Sequence, residues 1–266
     1  MKNNYICLIC FKPNDVWINF LKAFSEHYKI YLIIDDNSID YKEKYKEYSN
    51  LNCITVLNDD CEKNGYVNVN FMVKKGGISG WNKAIYYFSN IDTSYENIWF
   101  FEEDSFFYNE DTLKNIDLKD ATADLLSKTL IENTTGERET WHWKSIDIKF
   151  EPPYYECLCC SIRVSKKLML KIKEYVKENK TLFFLEALFP TICMHNKLIS
   201  KTYDNFKEIN YYWKDYTNIV GKDGLYHPVK DINNHILFRD IISGKVKRGG
   251  RRKGSKKTLR KKTRGI

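Results

Sequence analysis

Three carboxylates stand together at Glu102-Glu-Asp104, between the apolar run Ile98-Trp-Phe-Phe101 and Phe106-Phe107. Like charges a few ångströms apart repel, and burial disfavours each ionised form, so a bare cluster there is costly. A divalent cation removes the cost, and oxygen ligands suit Mg²⁺ or Mn²⁺. Along a strand, residues two apart share a face, which sets Glu102 and Asp104 on one side and Glu103 on the other. The same residues also read as a solvated acidic turn at a strand end. A second acidic pair, Asp35-Asp36, closes the run Ile30-Tyr-Leu-Ile-Ile34. Glu186 is the one charge in Leu182-Phe-Phe-Leu-Glu-Ala-Leu-Phe189. Such surroundings raise a carboxyl pKa toward neutrality, as a general base for a hydroxyl needs. A helix-surface Glu or a buried ion-pair partner is the plainer reading.

These residues need elements to hold them. Residues 5–11, 30–34, 53–57 and 98–103 read as buried strands, apolar on both faces. Between them, Pro13-Asn-Asp15 opens a helix with Val16, Phe20, Leu21 and Phe24 on its apolar face. Residues 41–48 read as a short charged helix, 58–61 as a loop, and Trp81–Phe88 as a helix behind Gly76, Gly77 and Gly80. Strand and helix in alternation predict a parallel sheet with right-handed crossovers. Ligands of such sheets bind beyond the carboxyl ends of the strands, where both acidic clusters fall. After about residue 110 the pattern loosens. Residues 123–127 and 155–164 read as strands, and 165–176 as a basic amphipathic helix capped by Ser165. Pro190 breaks the apolar run around Glu186. Tyr211-Tyr-Trp213 leads into a turn with Gly221 and Gly224, then Leu225-Tyr-His-Pro-Val-Lys230.

With 266 residues, 43% hydrophobic and 15% aromatic, the chain is globular and large enough for one domain with a subregion. The formal charge of +8 is a property of the end: Lys245–Ile266 holds twelve Lys and Arg and no acid. Without them 31 basic residues face 35 acidic ones, so the body is mildly acidic. No secretory signal is legible at the start, and no stretch approaches the roughly 18 apolar residues of a membrane span, which predicts a soluble intracellular protein. Cys7 and Cys10 lie three apart on a strand and face opposite sides. With Cys157, Cys159 and Cys160 they read as buried reduced thiols, a structural zinc site being the lesser alternative.

Leu32-Ile-Ile-Asp-Asp-Asn-Ser-Ile-Asp40 resembles the strand-end signature of nucleotide-sugar glycosyltransferases of the GT-A fold. Trp99-Phe-Phe-Glu-Glu-Asp104 is similar to their D-x-D motif, with Glu102 in place of the first Asp. The glycines and helix of residues 76–87 sit where such enzymes cover the donor. His227 resembles the late metal-binding His. The likeness spans about residues 4–230 through these short motifs. It implies an α/β fold: a Rossmann-like mixed sheet, mostly parallel, flanked by helices, with a smaller acceptor-side subregion. One domain would cover 1–244, with its donor half about 1–110 and its acceptor half about 111–244, followed by a disordered basic tail at 245–266.

The resemblance implies a metal-dependent transferase moving a sugar from a nucleotide-diphosphate sugar, UDP favoured, to a glycan or glycoprotein hydroxyl. Asp104 and His227 would hold Mn²⁺ or Mg²⁺. Asp35, Asp36, Gly77, Asn82, Glu102, Glu103 and Asp124 would serve the donor, with Asp36 on the base. Trp141, His142 and Trp143 would stack on and bond the acceptor, core packing being their alternative. Glu186 as base implies inversion. A second expectation is a catalytically inactive GT-A-like carbohydrate-binding or virion-associated protein. A metal-dependent nuclease fits poorly, because a duplex-binding face should be basic where the chemistry occurs. The tail can bind polyanions. It and the Lys, Asn, Ile and Tyr bias resemble proteins of large DNA viruses, which would place the chain in a host cytoplasm or a virion.

Overall fold

The computed structural model describes residues 4–25, 27–70, 77–206, 208–209 and 221–246. In chain order, the first half contains β1 (Asn4–Cys10), α1 (Asp15–Leu21), β2 (Tyr28–Ile34), α2 (Tyr41–Lys44), β3 (Leu51–Thr55), α3 (Asn58–Lys63), α4 (Gly80–Asn90), β4 (Asn97–Glu102) and α5 (Glu110–Lys119). The second contains β5 (Leu125–Ser127), β6 (Ile131–Asn133), β7 (Tyr154–Glu156), β8 (Ser161–Ser165), α6 (Lys166–Asn179), α7 (Leu185–His195), β9 (Ser200–Thr202), β10 (Glu208–Ile209), β11 (Tyr226–His227) and α8 (Ile232–Ile242).

Seven strands form one sheet in the order β3-β2-β1-β4-β8-β5-β9. Strands β1 to β4 run parallel, β8 runs antiparallel to both β4 and β5, and β5 pairs parallel with β9. Alternation along β1 sends Tyr5, Cys7 and Ile9 into one apolar cluster and Ile6, Leu8 and Cys10 into the other. Helices α4, α6 and α7 cover the first face, and α1 and α5 cover the second. Both faces are therefore dry, which is why the strands carry almost no polar residue.

Several expectations change. Helix α1 buries Trp17, Ile18 and Leu21, while Val16 is only half-buried. Helix α2 stops at Lys44, and residues 58–63 form a helix where a loop was expected. The predicted strand at 155–164 is two strands in different sheets, β7 with β6 and β8 with β4. Pro190 does not end its helix but lies inside α7. Proline lacks the N–H that would bond the carbonyl four residues back. That carbonyl, of Glu186, instead accepts from the Cys157 amide at 2.9 Å. Gly76, Tyr211, Tyr212, Trp213 and residues 247–266 lie outside the described residues. All eight cysteines are free and buried.

Candidate active site

The carboxyl ends of β1, β2 and β4 open on a cleft of about 570 Å³, within the size range of small-molecule sites. Asp35, Gly80, Trp81, Glu102, Asp104 and Lys230 are among the residues that line it. Its floor exists because the acidic turn after β4 is tied to the far end of the chain. Phe106 and Tyr226 exchange backbone hydrogen bonds at 2.8 and 2.9 Å, and the Val229 amide donates to the Asp104 carbonyl at 2.7 Å. This zipper carries His227 and Lys230 over the acids. His227 Nε2 lies 3.1 Å from Asp104 Oδ1 and 3.6 Å from Glu102 Oε2, and Lys230 Nζ lies 3.4 Å from Asp104 Oδ2. Helix α8 clasps the same turn from behind: Arg239 donates to the Phe107 and Tyr108 carbonyls.

The electrostatics differ from one acid to the next. Burial pushes Asp104 up, but the hydrogen bond and charge of His227, with Lys230, outweigh it and hold the carboxyl below its ordinary value. Burial raises Glu102 above its ordinary value, and partial desolvation with the neighbouring Asp104 and Glu102 charges raises the surface-exposed Glu103. Glu102 is oriented by Trp81, whose indole donates to Oε1 at 2.8 Å. Glu102, Cys160 and His227 offer an oxygen, a sulfur and a nitrogen within 4.8 Å of one another, so the donor set present fits a divalent cation.

The two strand-end aspartates divide the labour. Asp35 lines the cleft and pairs with Lys83 of α4, which is 1% exposed, at 2.7 Å. Asp36 turns into its own loop. It accepts from the Ser38 amide and hydroxyl and from Tyr41, and the Tyr41 bond leads in lowering its pKa to about 2. The turn-capping reading of Asp36 therefore fits better than a contact to a base.

Other sequence expectations also shift. Asn82 is fully buried, accepts from the Ser79 amide and donates to the Tyr66 carbonyl, so its amide caps α4 instead of meeting a ligand. Asp124 precedes β5, which runs parallel to β4, and so lies at the opposite edge of the sheet. There it accepts from Ser165 and the Ile199 amide and does not line the cleft. Gly77 is half-buried and is not among the residues lining the cleft, although Gly80 is. A Cβ on Gly80 would sit 2.6 Å from Ile9 Cγ2, so the close approach of α4 to β1 needs glycine. Glu186 is 4% exposed, does not line the cleft, and burial first of all pushes its pKa up to about 9. A carboxyl held neutral at pH 7 is not a poised base.

Trp141 and Trp143 line a second hollow of about 430 Å³ together with Glu132 and Glu156. Trp143 is itself buried against Tyr154, and exposed His142 neighbours Phe184. Sequence reading missed Lys83, Trp81 and Lys230, and took Cys160 as a buried thiol with a structural zinc site as the lesser alternative. Only Lys230, three residues beyond His227, carried a local signal.

No protein-family profile and no curated protein matches the chain. Solved structures do, and they define the fold as that of GT-A glycosyltransferases. An active-site mutant of LgtC aligns with TM-score 0.51 at 11% identity, covering 92% of this chain and 96% of that one. The galactosyltransferase LgtC in complex with donor and acceptor sugar analogues aligns with TM-score 0.50 at 11% identity, covering 91% and 95%. Mouse xyloside xylosyltransferase 1 in its apo form aligns more loosely, with TM-score 0.45 at 11% identity, covering 85% and 97%.

Proposed function

We propose that the protein is a glycosyltransferase that moves a sugar from a nucleotide-diphosphate sugar, UDP-linked by preference, to a hydroxyl of a glycan or glycoprotein. The observation that carries this reading is the convergence of Glu102, Asp104 and Lys230 in one cleft at the carboxyl edge of a GT-A sheet, with buried His227 packed against Asp104 at 3.1 Å. Asp104 and His227, with Glu102, would hold a divalent cation of the Mn²⁺ or Mg²⁺ kind. When bound, that cation neutralises charge developing on the departing diphosphate without proton transfer. Lys230 adds a second positive charge on the same side. Trp81 fixes the Glu102 carboxylate, and Asp35, anchored by Lys83, is available to nucleoside hydroxyls at the cleft wall. Trp141, in the second hollow, offers a ring face to an acceptor sugar, with His142 beside it. Glu103, exposed beside these groups, adds negative potential that favours a cation.

Inversion with Glu186 as base is not carried into this proposal, because that carboxyl is buried and neutral. The second reading is an inactive GT-A-like carbohydrate-binding protein, because Glu186, the base expected from the sequence, does not line the cleft.

The test is the melting temperature of the full-length chain with UDP or GDP, each with and without Mn²⁺. A ligand at about 100 times its dissociation constant stabilises by about 2.7 kcal/mol, which a melting curve resolves. A shift that needs metal, prefers one base and vanishes in Asp104→Ala is expected. No shift with any nucleotide would sink the transferase reading. A metal-dependent shift without release of nucleoside diphosphate from any donor sugar would favour the inactive reading.

A further inference from the structure

Cys160 has no role in the proposed transfer, yet it stands beside the acidic site. Strand β8 pairs antiparallel with β4, with Phe101 opposite Ser161, and the Glu102 amide donates to the Cys160 carbonyl at 3.1 Å. The pairing sets the Cys160 side chain beside that of Glu102. Its sulfur, a Glu102 oxygen and a His227 nitrogen lie within 4.8 Å of one another. Asp104 Oδ1 approaches the same imidazole nitrogen at 3.1 Å. This is a set of one sulfur, one nitrogen and one carboxylate oxygen close together, with Asp104 against the nitrogen, at the edge of a cleft that Glu102 and Asp104 line.

We infer that Cys160 is a ligand of the cation bound here, and that the site takes a borderline, thiophilic cation of the Zn²⁺ or Co²⁺ kind in preference to Mg²⁺. The inference rests on the metal-binding half of the proposed function. Mg²⁺ demands near-octahedral oxygen and keeps its waters, so a sulfur at the centre of the donor set is wasted on it. Thiolate and imidazole suit Zn²⁺ and its neighbours. On binding, the thiol proton would leave to solvent, the sulfur lone pair would form the metal–sulfur bond, and Glu102 would add a carboxylate oxygen. The cation's charge compensates the thiolate and the carboxylates together.

Co²⁺ titrated into the full-length protein tests this without turnover. A sulfur-to-cobalt charge-transfer band in the near ultraviolet is expected, displaced by Zn²⁺ and not by equal Mg²⁺, and absent from both Cys160→Ser and His227→Ala. Cys160→Ser should lose about tenfold or more in Co²⁺ affinity, at least what an outer partner costs, and far less for Mn²⁺. Co²⁺ bound without the band, or a band surviving in either variant, overturns the inference and leaves the proposed function standing. A surviving band would belong to other thiols, such as Cys157 and Cys159, whose sulfurs are 3.6 Å apart. If Cys160→Ser does not fold, the His227→Ala spectrum decides alone. No Co²⁺ bound at all overturns the inference and removes the metal from the proposed function, whose nucleotide test is read separately.

Discussion

Glu186 occupies the first turn of α7, and among the described residues its Oε2 has no hydrogen-bond partner. Burial, and after it the neighbouring Cys157, raises its pKa to about 9. The sign of the consequence follows from linkage. An unfolded Glu titrates near about 4.3, so folding favours the protonated form of this group. Its contribution is intact below about pH 4.3 and is lost progressively as pH rises through about 9. Glu186→Gln, which cannot ionise, should gain stability over wild type at pH 8 and gain little at pH 5. Denaturant melts at the two values measure this, and an equal gain at both would show that Glu186 is ionised when folded. The same residue scale separates Asp104, held ionised by His227, from Glu102, raised by burial two positions earlier.

Helix α7 explains how a proline can sit where a helix former is expected. A helix-interior proline costs about 3 kcal/mol, partly through the carbonyl it leaves bare. Here that carbonyl is satisfied by the Cys157 amide, and the bond fastens the segment before Cys160 to the helix that carries Glu186. Pro190→Ala should therefore gain less than about 1 kcal/mol, because a restored alanine N–H competes for an acceptor already used. Chemical denaturation would decide, and a gain of about 3 kcal/mol would show that the Cys157 bond contributes nothing. Helix α4 is fixed by comparable means. Asn82 closes its first turn, and Lys83 spends its charge on the side chain and carbonyl of Asp35 at the end of β2.

At the scale of the molecule, acids cluster at the carboxyl edge of the sheet while the excess of basic over acidic residues lies at the end of the chain. Lys245 still belongs to the fold, since its amide donates to the Asp240 carbonyl and its ammonium is 3.9 Å from the Asp240 carboxylate. Eleven Lys and Arg follow it in residues 247–266. Removing those residues should abolish binding to duplex DNA, used as a model polyanion. The intact chain should bind and weaken steeply between about 50 and 200 mM salt. Retained duplex binding by the shortened protein would place the basic surface on the body and revive the nuclease reading. Among the described residues, no helix is long and apolar enough to cross a membrane.

Much of the donor half was legible in the chain. Continuous apolar runs ending in acids have few solutions other than buried parallel strands, and the order of strands and helices then puts Asp35 and Glu102–Asp104 on one edge. The GT-A fold and the meeting of Asp104 with His227 were instead expectations of the family resemblance, carried by the short motifs at 32–40, 99–104 and 227. The second half was less legible because its strands are short and its hydrogen bonds are non-local. The division of 154–165 into two strands depends on which neighbours pair with them. The same holds for Asp124, whose side of the sheet is set by the direction of β5. Arg163 is as buried as any core residue, and only because Asp117 and two backbone carbonyls meet its guanidinium. Local sequence determined which residues are acidic, apolar or turn-forming. Tertiary structure alone decided that Asp104 keeps its charge, since that depends on distances to His227 and Lys230, and it alone brought Cys160 beside Glu102.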